Sequence, residues 1–273
     1  MKLLTMMLAL VALSVPVAGH DMFLVAESHA LPVASTVPIS LYNGTFDKSE
    51  NSIERARMID VSVVDGQGDI HHPSADQWRD EGNISMLDLE TGESGTYVLG
   101  VSTRPRMIEL SAEDFNEYLK HDGVLDVLAA REKDGSLQQP ANERYSKHVK
   151  SILQVGEIPS ESYLQVLGYP IEIVPQTNPA DLEKGDTLRV LVLADGQPAA
   201  GQLVYASFAG FHHQDDAGGH QEAVKTRTDE RGVAEVDLSQ AGRWYVRLIR
   251  MLPVDEAGVD YESNWATLTF QVR

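Results

Sequence analysis

The chain has 273 residues, 42% of them hydrophobic, with 41 acidic against 22 basic side chains and a formal charge of −19. Such a balance argues against a nucleic-acid partner, which needs clustered Lys and Arg; it also disfavours an anionic membrane surface and suits plain solubility. Cysteine is absent, so the fold must hold without disulfides, and any metal site must use His, carboxylate or Met.

Residues 1–19 read as a secretory signal. Lys2 supplies the positive start, Leu3 to Val15 form an apolar run broken only by Thr5 and Ser14, and Val17-Ala18-Gly19 gives a small-residue cleavage site. The run is too short to span a bilayer, which takes about 20 apolar residues. Cleavage after Gly19 makes a periplasmic or secreted protein, not embedded in the membrane, that begins His20-Asp21-Met22-Phe23-Leu24. An N-terminal histidine offers its α-amine and its ring nitrogen together, a chelate for a borderline transition metal. A cut one residue earlier, after Ala18, would abolish it.

From His20 to residue 107 the pattern has period two, the mark of half-buried strands. Val37, Ile39 and Leu41 alternate with Pro38, Ser40 and Tyr42; Ile59, Val61 and Val63 lead into Asp65-Gly66-Gln67-Gly68; Tyr97, Leu99 and Val101 follow Gly95. Residues 108–155 read as a helical insert. Ser111 with Glu113 and Asp114 marks a helix start, Phe115, Tyr118 and Leu119 share its face, and Asp122 can cap a second helix. A third is expected after Asn142, with Tyr145, His148, Val149 and Ile152 on one stripe and Gly156 as its end. Residues 156–273 return to strands: Leu188 to Leu193 run into Asp195-Gly196-Gln197-Pro198, Trp244, Val246 and Leu248 alternate with Arg243, Tyr245 and Arg247, and Ala266, Leu268, Phe270 and Val272 follow. The expected fold is mostly β: two Ig-like antiparallel β-sandwich domains, 20–107 and 156–273, with a small helical insert.

Several segments resemble the DUF4198 family: HDMFLVAESHALP at the start of the mature chain, ERYSKHVKSILQVG at 143–156, LGYPIEIVPQTNPADLEKGDTLRVLVLADGQPAAG at 167–201, RTDERGVAEVDLSQAGRWYVRLIR, and YESNWATLTFQVR. The family's members are exported proteins described as periplasmic components of nickel or cobalt uptake systems. The resemblance therefore implies capture of nickel or cobalt and delivery to a membrane importer. Met22-Phe23-Leu24 departs from the bulkier aromatic start of family members.

The second source of donors is the Gly-rich segment His212-His213-Gln214-Asp215-Asp216-Ala217-Gly218-Gly219-His220, which reads as a loop added to the second β region. Imidazole and carboxylate ligate zinc-class ions at about 2.0–2.2 Å, and such a loop can order around an ion; a solvated surface loop is the plain alternative. The expected site joins His20 to His213 and His220, with His212 or Asp215 as a further ligand. Its cargo is a divalent transition metal: nickel or cobalt first, then copper or zinc. His71 and His72 read as turn surface, His121 as surface near a helix junction, His148 as a packing residue and His29 as structural or an extra ligand. No Gly-x-Ser-x-Gly, His-Glu-x-x-His or phosphate-loop pattern occurs, so binding without catalysis is the expectation. Two other readings stay open: a structural or adhesive Ig-like module without metal, and an oxidative enzyme built on a copper brace at His20.

Overall fold

The computed structural model describes residues 20–211, 213–214 and 220–273, with the backbone alone at 75, 213–214 and 220–221. The expected signal, His212 and Asp215 lie outside the described residues.

The elements run in chain order as strands β1 (Asp21–Val25), β2 (Ala30–Leu31), β3 (Thr36–Gly44), β4 (Met58–Val64), β5 (Ile70–His71), β6 (Trp78–Glu81), β7 (Ile84–Glu90), β8 (Gly95–Thr103) and β9 (Arg106–Leu110). Helices α1 (Ala112–His121) and α2 (Leu125–Asp134) follow, then strands β10 (Ala141–Val155), β11 (Ile171–Pro175), β12 (Thr187–Ala194), β13 (Gln197–Pro198) and β14 (Leu203–Phe208). The chain continues through β15 (His213–Gln214), β16 (His220–Gln221), β17 (Val224–Arg227), β18 (Val233–Asp237), β19 (Gly242–Glu256) and β20 (Val259–Val272). The protein is mostly β, 51% strand against 13% helix.

A ten-stranded sheet forms the middle layer, in the order β17-β14-β19-β20-β10-β8-β4-β5, with β2 and β9 also paired to β10. One four-stranded sheet, β1-β3-β7-β6, packs on one face of it, and a second, β11, β12, β13 and β18, packs on the other. Side-chain alternation makes this possible. On β8, Tyr97, Leu99 and Val101 enter the core shared with the β1 sheet, while Val98 enters the core shared with the β12 sheet. On β10, Val149, Leu153 and Val155 take the first side and Ile152 the second. The result is two sandwiches that share their middle sheet. Most pairings are antiparallel, but β10 runs parallel to β20, from Glu143 opposite Tyr261 to Ser151 opposite Thr269.

Both helices stand where the pattern placed them. The Ser111 hydroxyl accepts the Asp114 amide at 3.1 Å, and α1 buries Phe115, Tyr118 and Leu119 against Ile249, Met251 and Trp265. Asp122 ends α1 instead of capping α2, because Gly123 turns the chain at φ +77°. The helical insert does not extend to 155. Residues 141–155 are the strand β10, buried almost throughout from Ser146 to Leu153. A strand covered on both faces loses its polar–apolar alternation, and its remaining apolar spacing can then mimic a helical stripe.

Candidate metal site at the N-terminal strand

Strand β1 crosses the middle sheet, held there by threonines of β20: Thr267 Oγ1 donates to the Met22 carbonyl at 2.7 Å and Thr269 Oγ1 to that of Leu24 at 2.6 Å. Met22 and Leu24 face the shared core, while Phe23 and Val25 meet Phe46 and Tyr245. The chain just before β1 is thereby fixed at the rim of the sandwich. There His20 Nδ1 lies 3.1 Å from Glu50 Oε2, with the two side chains 36% and 38% exposed. Glu50 arrives through a tight return after β3, in which its amide donates to the Asn43 carbonyl at 3.0 Å. Gly44 permits that return, since a Cβ there would stand 2.5 Å from the Lys48 carbonyl and 2.8 Å from the Glu50 nitrogen.

Beneath His20 lies a buried charged group. Lys147, on β10, donates through Nζ to the His20 carbonyl and to Asn43 Oδ1. Burial pushes its ammonium down to about 8. Asp21 is raised to about 6 by burial, against the pull of Arg247. Arg247, 4% exposed, places Nε 3.5 Å from Asp21 Oδ2, pairs with Glu222, and donates through Nη1 to the Asp122 carbonyl at 3.1 Å. Burial alone would lower the guanidinium, but Asp21 and Glu222 hold it above its ordinary value. His121 Nδ1 sits 3.1 Å from Asp122 Oδ1, which raises the imidazole. The other oxygen of Asp122 is buried without a hydrogen-bond partner among the described residues. Glu143 is pushed up to about 7 by burial while accepting from Tyr118 and Ser263.

The remaining histidines separate by environment. His213 and His220 fall in the paired strands β15 and β16, where His213 is opposite Gln221 and His220 opposite Gln214, so by alternation the two positions belong to opposite faces of the pair. Glu222 follows β16 directly, and its pair with Arg247 ties the base of this hairpin to the residue after His20. His148 is unsuited to ligation: Nδ1 meets Ser102 Oγ at 2.9 Å and Nε2 meets Asn264 Oδ1 at 3.0 Å. His71 and His72 are exposed beside Asp65 and Asp60, lining a cavity of about 390 Å3. His29 is 3% exposed, and neither ring nitrogen has a hydrogen-bond partner among the described residues. Trp244 and Trp265 are core residues. Among the described residues no three His, Asp or Glu side chains converge in a metal-holding group.

The pattern reading missed Glu50, Lys147 and Glu222. For Arg247 the signal was present, because alternation put it opposite Trp244, Val246 and Leu248. Alternation does not say what covers that opposite face, and here β1, α1 and the hairpin base supply the cover.

Among solved structures, three distant likenesses illustrate the comparison. Trypsin-activated α2-macroglobulin from Escherichia coli is 11% identical, with a TM-score of 0.26 over 93% of this chain and 16% of that one. The D0-D1 domain of intimin is 12% identical, TM-score 0.21, over 92% and 97%. The fibronectin(III)-like modules of Clostridium thermocellum CbhA are 8% identical, TM-score 0.22, over 92% and 94%. This chain thus spans about a sixth of the macroglobulin, and none of these scores bears on function. No curated protein matches the chain. A family profile described as a domain of unknown function, DUF4198, matches residues 17–251, and the chain belongs to that family.

Proposed function

We propose that this is an exported transition-metal-binding protein that captures nickel or cobalt, with copper and zinc as weaker candidates, and passes it without catalysis to a membrane importer. The observation that carries the reading is the His20–Glu50 pair at the sandwich rim, 3.1 Å apart and partly open to solvent. Two ligands at about 2.0–2.2 Å from one ion, set at a right angle, stand about 3 Å from each other. The imidazole and carboxylate therefore need little movement to share an ion. Removal of residues 1–19 would add the α-amine of His20. His213 or His220 of the hairpin, whose positions alternate to opposite faces of the two strands, with His212 or Asp215, would fill further positions, and Glu50 joins the set as a donor. Imidazole, amine and carboxylate without thiolate form a donor set suited to borderline divalent ions. The choice of nickel or cobalt, and the importer, rest on the family resemblance.

The test is N-terminal sequencing and intact mass of the exported protein, then calorimetry with nickel, cobalt and copper. A start at His20 and one tight site, weakened by His20→Ala, by Glu50→Gln and by one of His213→Ala and His220→Ala, is expected. A mature chain that begins elsewhere, or wild-type affinity in all four variants, refutes the reading.

A further inference from the structure

Lys147 is a charged side chain where its strand calls for an apolar one. It lies on β10 two residues before Val149, so by alternation it shares the face that enters the core beneath the β1 sheet. The residue is 6% exposed. Lysine is almost never so deeply buried without a partner, and a buried ammonium costs stability unless it is hydrogen-bonded. Here Nζ finds two acceptors in the facing sheet: the His20 carbonyl, just ahead of β1, and Asn43 Oδ1 on β3 at 3.0 Å. The rings of Trp265 and Tyr145 flank it, with centroids 5.4 Å and 5.9 Å away.

The two acceptors belong to the two segments that carry the His20–Glu50 pair. His20 brings its own imidazole. Asn43 brings Glu50, because its carbonyl accepts the Glu50 amide at 3.0 Å and its own amide donates to Ser49 Oγ at 3.0 Å. One ammonium, rooted in the middle sheet, therefore sets the separation between the His20 main chain and the return after β3. The approach of His20 Nδ1 to Glu50 Oε2, 3.1 Å, stands on that separation. An apolar residue at 147 would fill the space and hold neither segment, whereas the rotating donors of lysine can meet both acceptors. The charge itself works against the site, since a fixed cation beneath a bound cation repels it.

We propose that Lys147 is a positioning residue of the metal site, holding the main chain of His20 and the side chain of Asn43 in one fixed relation so that the His20 imidazole and the Glu50 carboxylate reach a single ion. This rests on the metal-binding reading. Lys147 touches no metal in this scheme; it acts through His20 and Asn43.

The experiment titrates cobalt(II) into the mature protein beginning at His20, read by calorimetry and by the visible absorption of bound cobalt, which reports ligand geometry. Lys147→Met and Asn43→Ala should each weaken cobalt binding about tenfold or more, the range seen when outer partners of metal ligands are removed. Both should alter the cobalt absorption envelope while far-ultraviolet circular dichroism stays that of the wild type. The sign of the Lys147→Met effect separates position from charge, because loss of a repelling charge alone would tighten binding. Asn43→Ala removes the other arm with no change of charge, and it decides alone if Lys147→Met fails to fold. Tighter binding by Lys147→Met, or wild-type affinity and absorption in either folded variant, overturns the proposal. His20→Ala separates the two claims. If it loses cobalt while the Lys147 and Asn43 variants match the wild type, the metal reading stands and this inference falls. If the wild-type protein takes up no cobalt, or His20→Ala binds it as the wild type does, both fall.

Discussion

Individual side chains carry the sharpest expectations. His29 is buried with neither ring nitrogen hydrogen-bonded among the described residues, and burial together with Arg243 lowers its imidazole to about 3. A folded state that refuses the proton loses stability as the pH falls from the unfolded value near 6.5 towards 3, because the unfolded chain then binds the extra proton. His29→Leu removes that penalty and the orphaned nitrogens together. It should raise stability at neutral pH by about 1 kcal/mol and flatten the acid limb of urea-melt stability between pH 6 and 4. Glu143 has the opposite sign. Its carboxyl, raised to about 7 by burial, stays protonated in the folded protein where the unfolded chain has already ionised. Its contribution is thus present at low pH and lost as the pH climbs through 7. Glu143→Gln keeps an acceptor for Tyr118 and Ser263, and urea melts should show it more stable than wild type at pH 8 by ~1–3 kcal/mol and equal to it near pH 4. His20 was legible in the sequence through the cleavage pattern, whereas Glu50 and Lys147 were not. Their roles come from a return after β3 and from a partner 127 residues away, neither of which leaves a local pattern.

At the scale of elements, legibility followed coverage. Strands with one wet face, such as β3 and β12, showed their period, and α1 showed its cap. Strand β10 did not, because His148, Lys150 and Ser151 are polar yet buried between layers. His148 is held within the sheet by Ser102 and Asn264, and Lys150 by the layer it faces. Its Nζ is 2.7 Å from Glu172 Oε1 on β11, and Glu172 also accepts the amides of Leu167 and Gly168. Lys150→Met leaves that carboxylate buried without its counter-charge and should cost about 3–5 kcal/mol in chemical denaturation. A loss below 1 kcal/mol would mean that Glu172 is satisfied without the lysine. Gly95, at the start of β8, abuts the backbone of Gly66, with no room for a methyl group. Gly95→Ala should therefore destabilise by ~1–3 kcal/mol, as overpacking does; an unchanged melting temperature would show that the turn at Asp65–Gly68 shifts freely.

Across the whole molecule, the sequence announced two β regions but not that they share a sheet. The join is the parallel pairing of β10 with β20, and pairings between strands more than a hundred residues apart have no short-range signature. Since each four-stranded sheet packs on a face of the same middle layer, the halves should not melt separately. Calorimetry should give one transition with equal calorimetric and van't Hoff enthalpies, and two resolved transitions would contradict it. Residues 156–273 expressed alone would expose the long edge of β20 that β10 covers. That fragment should be aggregated or unfolded by circular dichroism, and a soluble, cooperatively folded fragment would show that the second sandwich stands without β10.

The hydrogen bonds from Thr267 and Thr269 to the carbonyls of Met22 and Leu24 span 245 residues. They set a timetable. Strand β1 emerges first, yet the surface that seats it is completed only when β20 arrives. Non-local closure of this kind makes for slow folding. His20 can then be held at the rim only once the far end of the chain has been made, so a nascent chain that stops short of β20 lacks the seat of its own first strand.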